Sequence, residues 1–341
     1  MGGVALASPP EPVAPVARYA PKGYPSKRGP SVQPLDGIEY LYVAVSEANT
    51  THTAGAGAMM LQADPALGAT DFHSLAEIAV ESGDGLQIVE LGWTVDRGVN
   101  GDVQPHVFAY HWVNGQVTCY NGCGWVQVSA TKMPGMQVVA GESHLYEIKL
   151  VNGDWWEFFD GEAMGYFPQA LWDRGFAQAT LVQWFGEVAA SSKLPCTQMG
   201  NGKPGMDPAS ASFDELHRFD PGGAMAQAAG NPGTISNPGL YSIGRATATS
   251  FGFGGPGTTT AGGSCCMPST CEAQQAECGS FSDPACPGNT LSCGTCVGCT
   301  ADHKCPEATG GGCCDAGGSG AGALALGPLV ALWLRRRRGQ G

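Results

Sequence analysis

The sequence predicts an all-β protein: an antiparallel β-sandwich, followed by a small disulfide-rich module and a C-terminal transmembrane sorting segment. Three observations lead to this class. Short stretches rich in β-branched and aromatic residues alternate with hairpin turn signals such as Asn-Gly, and helical periodicity is almost absent. Of 14 cysteines, 11 lie between Cys265 and Cys314, which is typical of disulfides in an exported protein. A small and apolar run of about 19 residues, enough to cross a bilayer, ends before Arg335–Arg338.

Strands are predicted where β-branched and aromatic residues cluster between Gly, Asn or Asp turns. One short helix is predicted at Pro168–Arg174, because proline is favoured at the first helical position. The predicted strands are Ile38–Val45, Ala56–Gln62, Leu86–Val95, His106–Val113, Trp125–Val128, His144–Val151, Trp155–Phe159, Thr180–Val188 and Tyr241–Thr247.

Changes in composition divide the chain into segments. Residues 1–7 end in Ala5-Leu6-Ala7, a small-x-small pattern of the kind that precedes a cleavage point, and we interpret them as the remnant of a signal peptide. A merely disordered N-terminus is the alternative. The segments that follow are a Pro-rich linker at 8–36, the sandwich at 37–249, a Gly-rich linker at 250–264, a Cys-rich module at 265–305 and the sorting segment at 306–341.

Charge and motifs narrow the function. The net charge of -13 disfavours nucleic acid as a partner, because phosphate binding needs a basic surface. The sequence contains neither HExxH nor GxSxG, and its GxGxxG at 252–257 lacks the flanking strand and helix of a nucleotide site. His106 and His111 share a predicted strand but point to opposite faces. No metal or cofactor is therefore expected, which leaves carboxylate chemistry.

The cysteines are expected to form disulfides. Cys119 and Cys123 flank a tight Tyr-Asn-Gly turn and are predicted to bridge each other. Eight cysteines between Cys266 and Cys305 would allow four bridges, whose connectivity the sequence does not determine. An exported chain favours this interpretation. The alternative is a zinc site with three close cysteines as ligands, Cys293, Cys296 and Cys299.

Two predicted strands each carry one glutamate where a plain strand would prefer Thr or Val. Glu187 shares a strand face with Gln183, and Gly92 and Gly186 lie within two residues of Glu90 and Glu187, where a backbone or ligand can approach closely. Because a strand glutamate is usually solvated, the pattern alone does not prove a site. Our hypothesis, based on the two unusual glutamates and the glycines near them, is that the two carboxylates meet across a cleft as a catalytic pair.

A series of phrases between about Asp71 and Asp220 resembles the neprosin family, whose domain belongs to the glutamic peptidases and is an antiparallel β-sandwich. The phrases are His73–Ile78, Val89–Val95, Val107–Trp112, Cys119–Asn121, Gly124–Gln127, Trp155–Phe158, Met164–Pro168, Val182–Val188 and Thr197–Gly202. The resemblance implies that the catalytic glutamates are Glu90, in Glu-x-Gly-Trp, and Glu187, in Gly-Glu-Val. Phe185 replaces a glycine that is common in the family, and the first cysteine pair is one residue closer than in plant members.

The resemblance further implies a two-glutamate, metal-free endopeptidase that hydrolyses protein or peptide substrates at acid pH. Plant members cut after proline, and the same preference is an expectation here. Two adjacent carboxyls share one proton, so one accepts a proton from water while the other polarises the carbonyl. A salt bridge from either acid to a base would exclude this role. Strand position suggests Gln183, Tyr110 and Trp93 as donors to the oxyanion.

The C-terminus resembles the MYXO-CTERM sorting signal of myxobacteria. A Gly-Gly-Cys313-Cys314 motif precedes the apolar run and the arginines, which place the end on the cytoplasmic side of the membrane. The resemblance implies a tail that sorting and processing machinery removes, with lipid attached at Cys313 or Cys314. The expected location is the outer cell surface, after secretion.

A non-catalytic protein that binds wall polymer or glycan is the alternative function. Its support is the density of aromatic residues, whose rings suit sugar faces but more often fill a core. These residues are Trp93, Tyr110, Trp112, Trp125, Trp155 and Trp156.

Overall fold

The structure, a computed structural model, describes residues 37–228, 231–258, 271–272, 274–282 and 290–306. They divide into two compact units, a β-sandwich and a cysteine-rich module. In chain order the strands are β1 (Glu39–Thr53), β2 (Gly55–Leu61), β3 (His73–Glu81), β4 (Ile88–Asp96), β5 (His106–Val113), β6 (Gln116–Val117), β7 (Val126–Gln127), β8 (Ser143–Val151), β9 (Asp154–Phe159), β10 (Glu162–Phe167), β11 (Ala179–Ala190), β12 (Ala211–Phe219), β13 (Met225–Gln227), β14 (Asn231–Ile235), β15 (Ser242–Gly244), β16 (Phe251–Gly254), β17 (Ser280–Ser282) and β18 (Thr290–Ser292).

Two antiparallel sheets form the sandwich, as the sequence predicts. The first sheet has seven strands in the order β14-β1-β11-β3-β4-β5-β6. The second has nine, in the order β15-β16-β12-β2-β8-β9-β10-β7, with β13 paired to β12. A separate two-stranded sheet pairs β17 with β18.

The main core lies between the two sheets. Large side chains from the first sheet, such as Trp93 and Trp184, pack with Trp155 and Phe213 of the second. A separate apolar cluster, which includes Leu75, lies on the opposite face of the seven-stranded sheet. Alternation along each strand therefore gives this sheet two buried faces, and the second of them carries the candidate site.

Helical structure is minimal in the described residues. The predicted helix is a single 3-10 turn, Gln169–Leu171, preceded by Pro168. An unpredicted one-turn helix, α1 (Arg97–Asn100), follows β4, and the Asp96 side chain caps it by accepting hydrogen bonds from the amides of Gly98 and Val99.

The predicted boundary at residue 249 is too early. Strand β16 lies inside the predicted Gly-rich linker, pairs with β12, and buries Phe251 and Phe253 in the core. Its glycines permit close packing of the backbone, since a Cβ on Gly252 would lie 2.4 Å from the carbonyl oxygen of Gly205. The sandwich therefore extends at least to Gly254.

The cysteine-rich module is held by disulfides in its described part. Its described bridges are Cys271–Cys293, Cys278–Cys299 and Cys296–Cys305. The alternative of a zinc site is therefore wrong for this structure, because its three proposed ligands, Cys293, Cys296 and Cys299, all form disulfides.

Several predictions fall outside the described residues. These are the signal-peptide remnant, the Pro-rich linker, Cys265, the lipid-attachment cysteines Cys313 and Cys314, and the membrane span with its arginines. Within the described part of the chain, no helix has the length and apolar character needed to cross a bilayer.

Candidate active site

One face of the seven-stranded sheet concentrates acidic side chains, and we call it the acidic face. It is the face opposite the main core. Every second residue of β3, β4 and β11 points to it. The buried polar residues that these three strands carry on it are His73, Glu77, Glu81, Glu90, Thr94, Asp96, Gln183 and Glu187.

Glu90 lies in a row with Gln183 across this face. Glu90 of β4 is opposite Ala79 of β3, and Ala79 is opposite Gln183 of β11. With strands spaced about 4.8 Å apart, the α-carbons of Glu90 and Gln183 are about 10 Å apart. The residue between them carries only a methyl group, and all three residues are buried.

Glu187 lies on the same face but further from Glu90. It is opposite Leu75, four residues along β3 from Ala79. Two strand spacings and four residues separate the α-carbons of Glu90 and Glu187 by about 16 Å on a flat sheet. The structure thus brings both predicted acids to one face, while the polar side chain in the row of Glu90 is Gln183.

Glu187 also contacts a base. Its Oε1 is 2.7 Å from Nε2 of His73, whose Nδ1 is 3.5 Å from Oδ2 of Asp96. Burial by itself would lower the pKa of His73, but the hydrogen bonds and charges of Asp96 and Glu187 outweigh it and raise the pKa. A protonated His73 forms a salt bridge to Glu187. This contact counts against Glu187 as one of the two acids, and the predicted pair stays a prediction.

Glu77 and Glu81 complete the acidic surroundings of Ala79. They lie two residues on either side of it on β3, and both are fully buried. As diagonal neighbours of Glu90 their α-carbons are about 7–8 Å from it. Sequence reasoning missed these two residues, although the two-residue alternation of His73–Glu81 contains the signal.

A further buried glutamate lies in the main core. Glu157 of β9 is fully buried between Trp155 and Phe159, and neither carboxyl oxygen has a hydrogen-bond partner among the described residues. Burial first, and then the charge of Glu90, raise the pKa of Glu157 well above its ordinary range. We therefore expect a neutral acid at this position.

The other predicted residues have different outcomes. Trp93 faces the main core and not the acidic face, so it is not an oxyanion donor. The hydroxyl of Tyr110 accepts a hydrogen bond from the amide of Thr118 at 3.0 Å. Gly92 lies on the acidic face and permits close approach to β3, whereas Gly186 faces Phe253 in the core. The glycine beside Glu187 therefore serves packing and not a ligand.

The predicted bridge between Cys119 and Cys123 is confirmed. Cys196 is also disulfide-bonded.

His111 packs in the core, with its ring centre 4.3 Å from that of Phe167. His106 lies on the acidic face of β5 and its Nδ1 is 2.8 Å from the carbonyl oxygen of Gly135. The two histidines point to opposite faces, as predicted.

Comparison with known proteins gives one family and several distant folds. The family model Neprosin matches residues 70–256, more than half of the chain. Scytalido-glutamic peptidase, solved with a peptide-based transition-state analogue, is 7% identical with a TM-score of 0.39, over 64% of this chain and 99% of that chain. A Bacillus licheniformis β-glucanase is 10% identical with a TM-score of 0.27, over 48% and 83%. The Bacillus subtilis carbohydrate-binding module CBM66 is 8% identical with a TM-score of 0.23, over 43% and 78%. Similarities this low do not identify a function.

Proposed function

Because the chain belongs to the neprosin family, we propose that it is a peptidase that hydrolyses peptide bonds with a water activated by Glu90. The observation that carries this proposal is the row of Glu90, Ala79 and Gln183, a carboxyl and an amide on either side of a small residue. Buried carboxyls surround this row, and operation at acid pH is part of the proposal. Proline preference, secretion and anchoring at the cell surface are part of the same proposal.

The reaction follows from the chemistry of the two groups. The Glu90 carboxylate accepts a proton from water, and the water oxygen bonds to the carbonyl carbon while the carbonyl electron pair moves onto oxygen. Glu90 then returns the proton to the leaving nitrogen as the C–N bond breaks. The Gln183 amide has two N–H donors and an acceptor oxygen, so it can orient the water or stabilise the oxyanion without ionising.

Two residues are candidates for the second group. The sequence favours Glu187, while the register and the contact of Glu187 with His73 favour Gln183. If Gln183 is the second group, Glu187 and His73 form a charged pair at the edge of the site. We propose Gln183 as the partner of Glu90, and the same set of variants tests both assignments.

The test is a digest of casein and of a proline-rich peptide at pH 3–6 by the parent and by Glu90→Gln, Gln183→Ala and Glu187→Gln. We expect Glu90→Gln to lower kcat by at least about 1,000-fold, since it removes the general base. Gln183→Ala should cost about 100-fold or more, and more than Glu187→Gln.

Glu157→Gln is the matched control, because it changes a buried glutamate on the other sheet and should keep parental activity at pH 4. A larger loss with Glu187→Gln than with Gln183→Ala would restore the pair predicted from sequence. Equal cleavage by the parent and by Glu90→Gln would reject the mechanism.

The alternative of a glycan-binding protein has less support. Four of the six aromatic residues on which it depends are fully buried: Trp93, Tyr110, Trp112 and Trp155. Of the remaining two, Trp156 stacks on Tyr166 with ring centres 4.5 Å apart. This partly exposed pair is a small platform.

A further inference from the structure

The loop between β6 and β7 holds one tyrosine against the acidic face. The bridge between Cys119 and Cys123 closes the loop around Tyr120. Asn121 fixes it to β5, since its amide donates to the carbonyl oxygen of Ala109 at 2.9 Å and its side-chain oxygen accepts from the Ala109 amide at 3.1 Å. The position of Tyr120 is thus determined by a covalent link and two hydrogen bonds to β5.

The Tyr120 ring packs against two aromatic residues of β5, the strand next to that of Glu90. Its centre is 4.8 Å from the ring of Tyr110 and 5.2 Å from the ring of Phe108. Tyr110 is opposite Glu90 in the sheet, and Phe108 is opposite Gly92. Tyr120 is 1% exposed, so these contacts enclose the whole side chain.

The Tyr120 hydroxyl is an unused donor. It is buried and has no hydrogen-bond partner among the described residues, and such groups are rare in folded proteins unless they serve a ligand or catalysis. Burial, together with the charges of Asp96, Glu77 and Glu187, raises the pKa of Tyr120. The hydroxyl therefore keeps its proton over the whole working range of pH.

We propose that the Tyr120 hydroxyl donates a hydrogen bond to the carbonyl oxygen of the bond that is cleaved. This inference rests on the proposed peptidase function. As water adds to the carbonyl carbon, negative charge develops on that oxygen beside several carboxyls, which can only repel it. A neutral O–H donor, fixed before the substrate arrives, stabilises this charge. The hydroxyl proton stays on Tyr120 throughout, so the proton balance of the reaction is unchanged.

Tyr120→Phe tests the proposal, because it removes the hydroxyl and keeps the stacked ring. We expect kcat to fall about 100-fold or more, with KM and the pH profile of kcat little changed. The unfolding temperature should stay equal or rise, since the lost hydroxyl had no partner in the folded protein.

Tyr146→Phe is the matched control. The Tyr146 hydroxyl is also buried, but it accepts a hydrogen bond from Nε2 of Gln62 at 2.9 Å and lies in the main core. Its loss should lower the unfolding temperature and leave kcat unchanged.

Two outcomes would overturn the role of Tyr120. One is a Tyr120→Phe variant with parental kcat, and the other is a loss of kcat that matches the fraction of protein unfolded under the assay conditions. Both leave the proposed function intact, provided that Glu90→Gln is inactive. A parent that cleaves no peptide, or a Glu90→Gln variant as active as the parent, would count against the peptidase function itself, and the assignment of Tyr120 would fall with it.

Discussion

At the scale of single residues, Glu157 shows how burial changes the chemistry of a carboxyl. It lies in an apolar core with no described partner, and its raised pKa means that the folded protein keeps a proton there. The unfolded chain releases that proton above its ordinary pKa of 4.5. Stability is therefore full below about pH 4.5 and falls as pH rises towards the folded pKa, by about 1.4 kcal/mol per pH unit.

Glu157→Gln should remove this loss, because an amide of the same shape does not ionise. We expect the variant and the parent to have similar free energies of unfolding at pH 4. At pH 7 the variant should be the more stable of the two. Urea unfolding at the two pH values measures the difference. The exposed Glu215→Gln is a control that should show none, and an equal difference at both pH values would contradict a buried neutral acid.

At the scale of elements, β3 and the loop of Tyr120 organise the site. Strand β3 lies between β4 and β11 and supplies both the small floor residue Ala79 and the flanking acids. The loop contributes the ring of Tyr120 from above, held by the bridge of Cys119 and Cys123. The sheet thus sets distances across the site, while the loop closes one side of it.

Replacing Cys119 and Cys123 by Ala should affect activity more than folding. The bridge closes a very short loop, so its loss should cost at most about 2 kcal/mol of stability. Release of Tyr120 should lower kcat by about 10-fold or more. Peptide cleavage and thermal unfolding measure the two effects. The matched control replaces Cys271 and Cys293 in the other unit, and it should leave kcat unchanged; parental kcat in both double variants would show that the loop does not position Tyr120.

At the scale of the whole molecule, buried groups whose pKa values shift in opposite directions define the pH range in which the folded protein is most stable. Burial lowers the pKa of His111 from 6.5 to about 4, so its contribution is full above pH 6.5 and is lost as pH falls towards 4, by about 3 kcal/mol in total. The pKa of His73 is raised, so its contribution is full below pH 6.5 and is lost above it. Between pH 4.5 and 6.5 the changes of Glu157 and His111 cancel.

The free energy of unfolding should therefore be nearly constant between about pH 4.5 and 6.5 and fall on both sides. Urea titrations from pH 3 to 9 measure this profile. His111→Phe removes the loss on the acid side, so its maximum should move below pH 4.5. A parent whose stability is greatest above pH 7.5 would contradict the assigned directions of these pKa shifts.

Sequence patterns predicted the class of fold, but they did not predict the geometry of the proposed site. Strands with aromatic and β-branched residues, such as His106–Val113, have the predicted bounds. The patterns missed β3, because Glu and Ala lower its strand propensity and its burial comes from tertiary contacts. They also could not predict that Gln183 lies in the row of Glu90, because the row depends on the register of three strands that are distant in sequence.

Because β3 lies between the strands of Glu90 and Gln183, its position also limits which deletions the site can tolerate. Side chains alternate with a period of two, so deletion of a single codon within β3 would turn its glutamates into the apolar core and its isoleucine and valine outward. Removal of two codons would restore the facing but place a glutamate between Glu90 and Gln183, at the present position of Ala79. Homologous sequences that keep the chemistry should therefore keep the length of this strand.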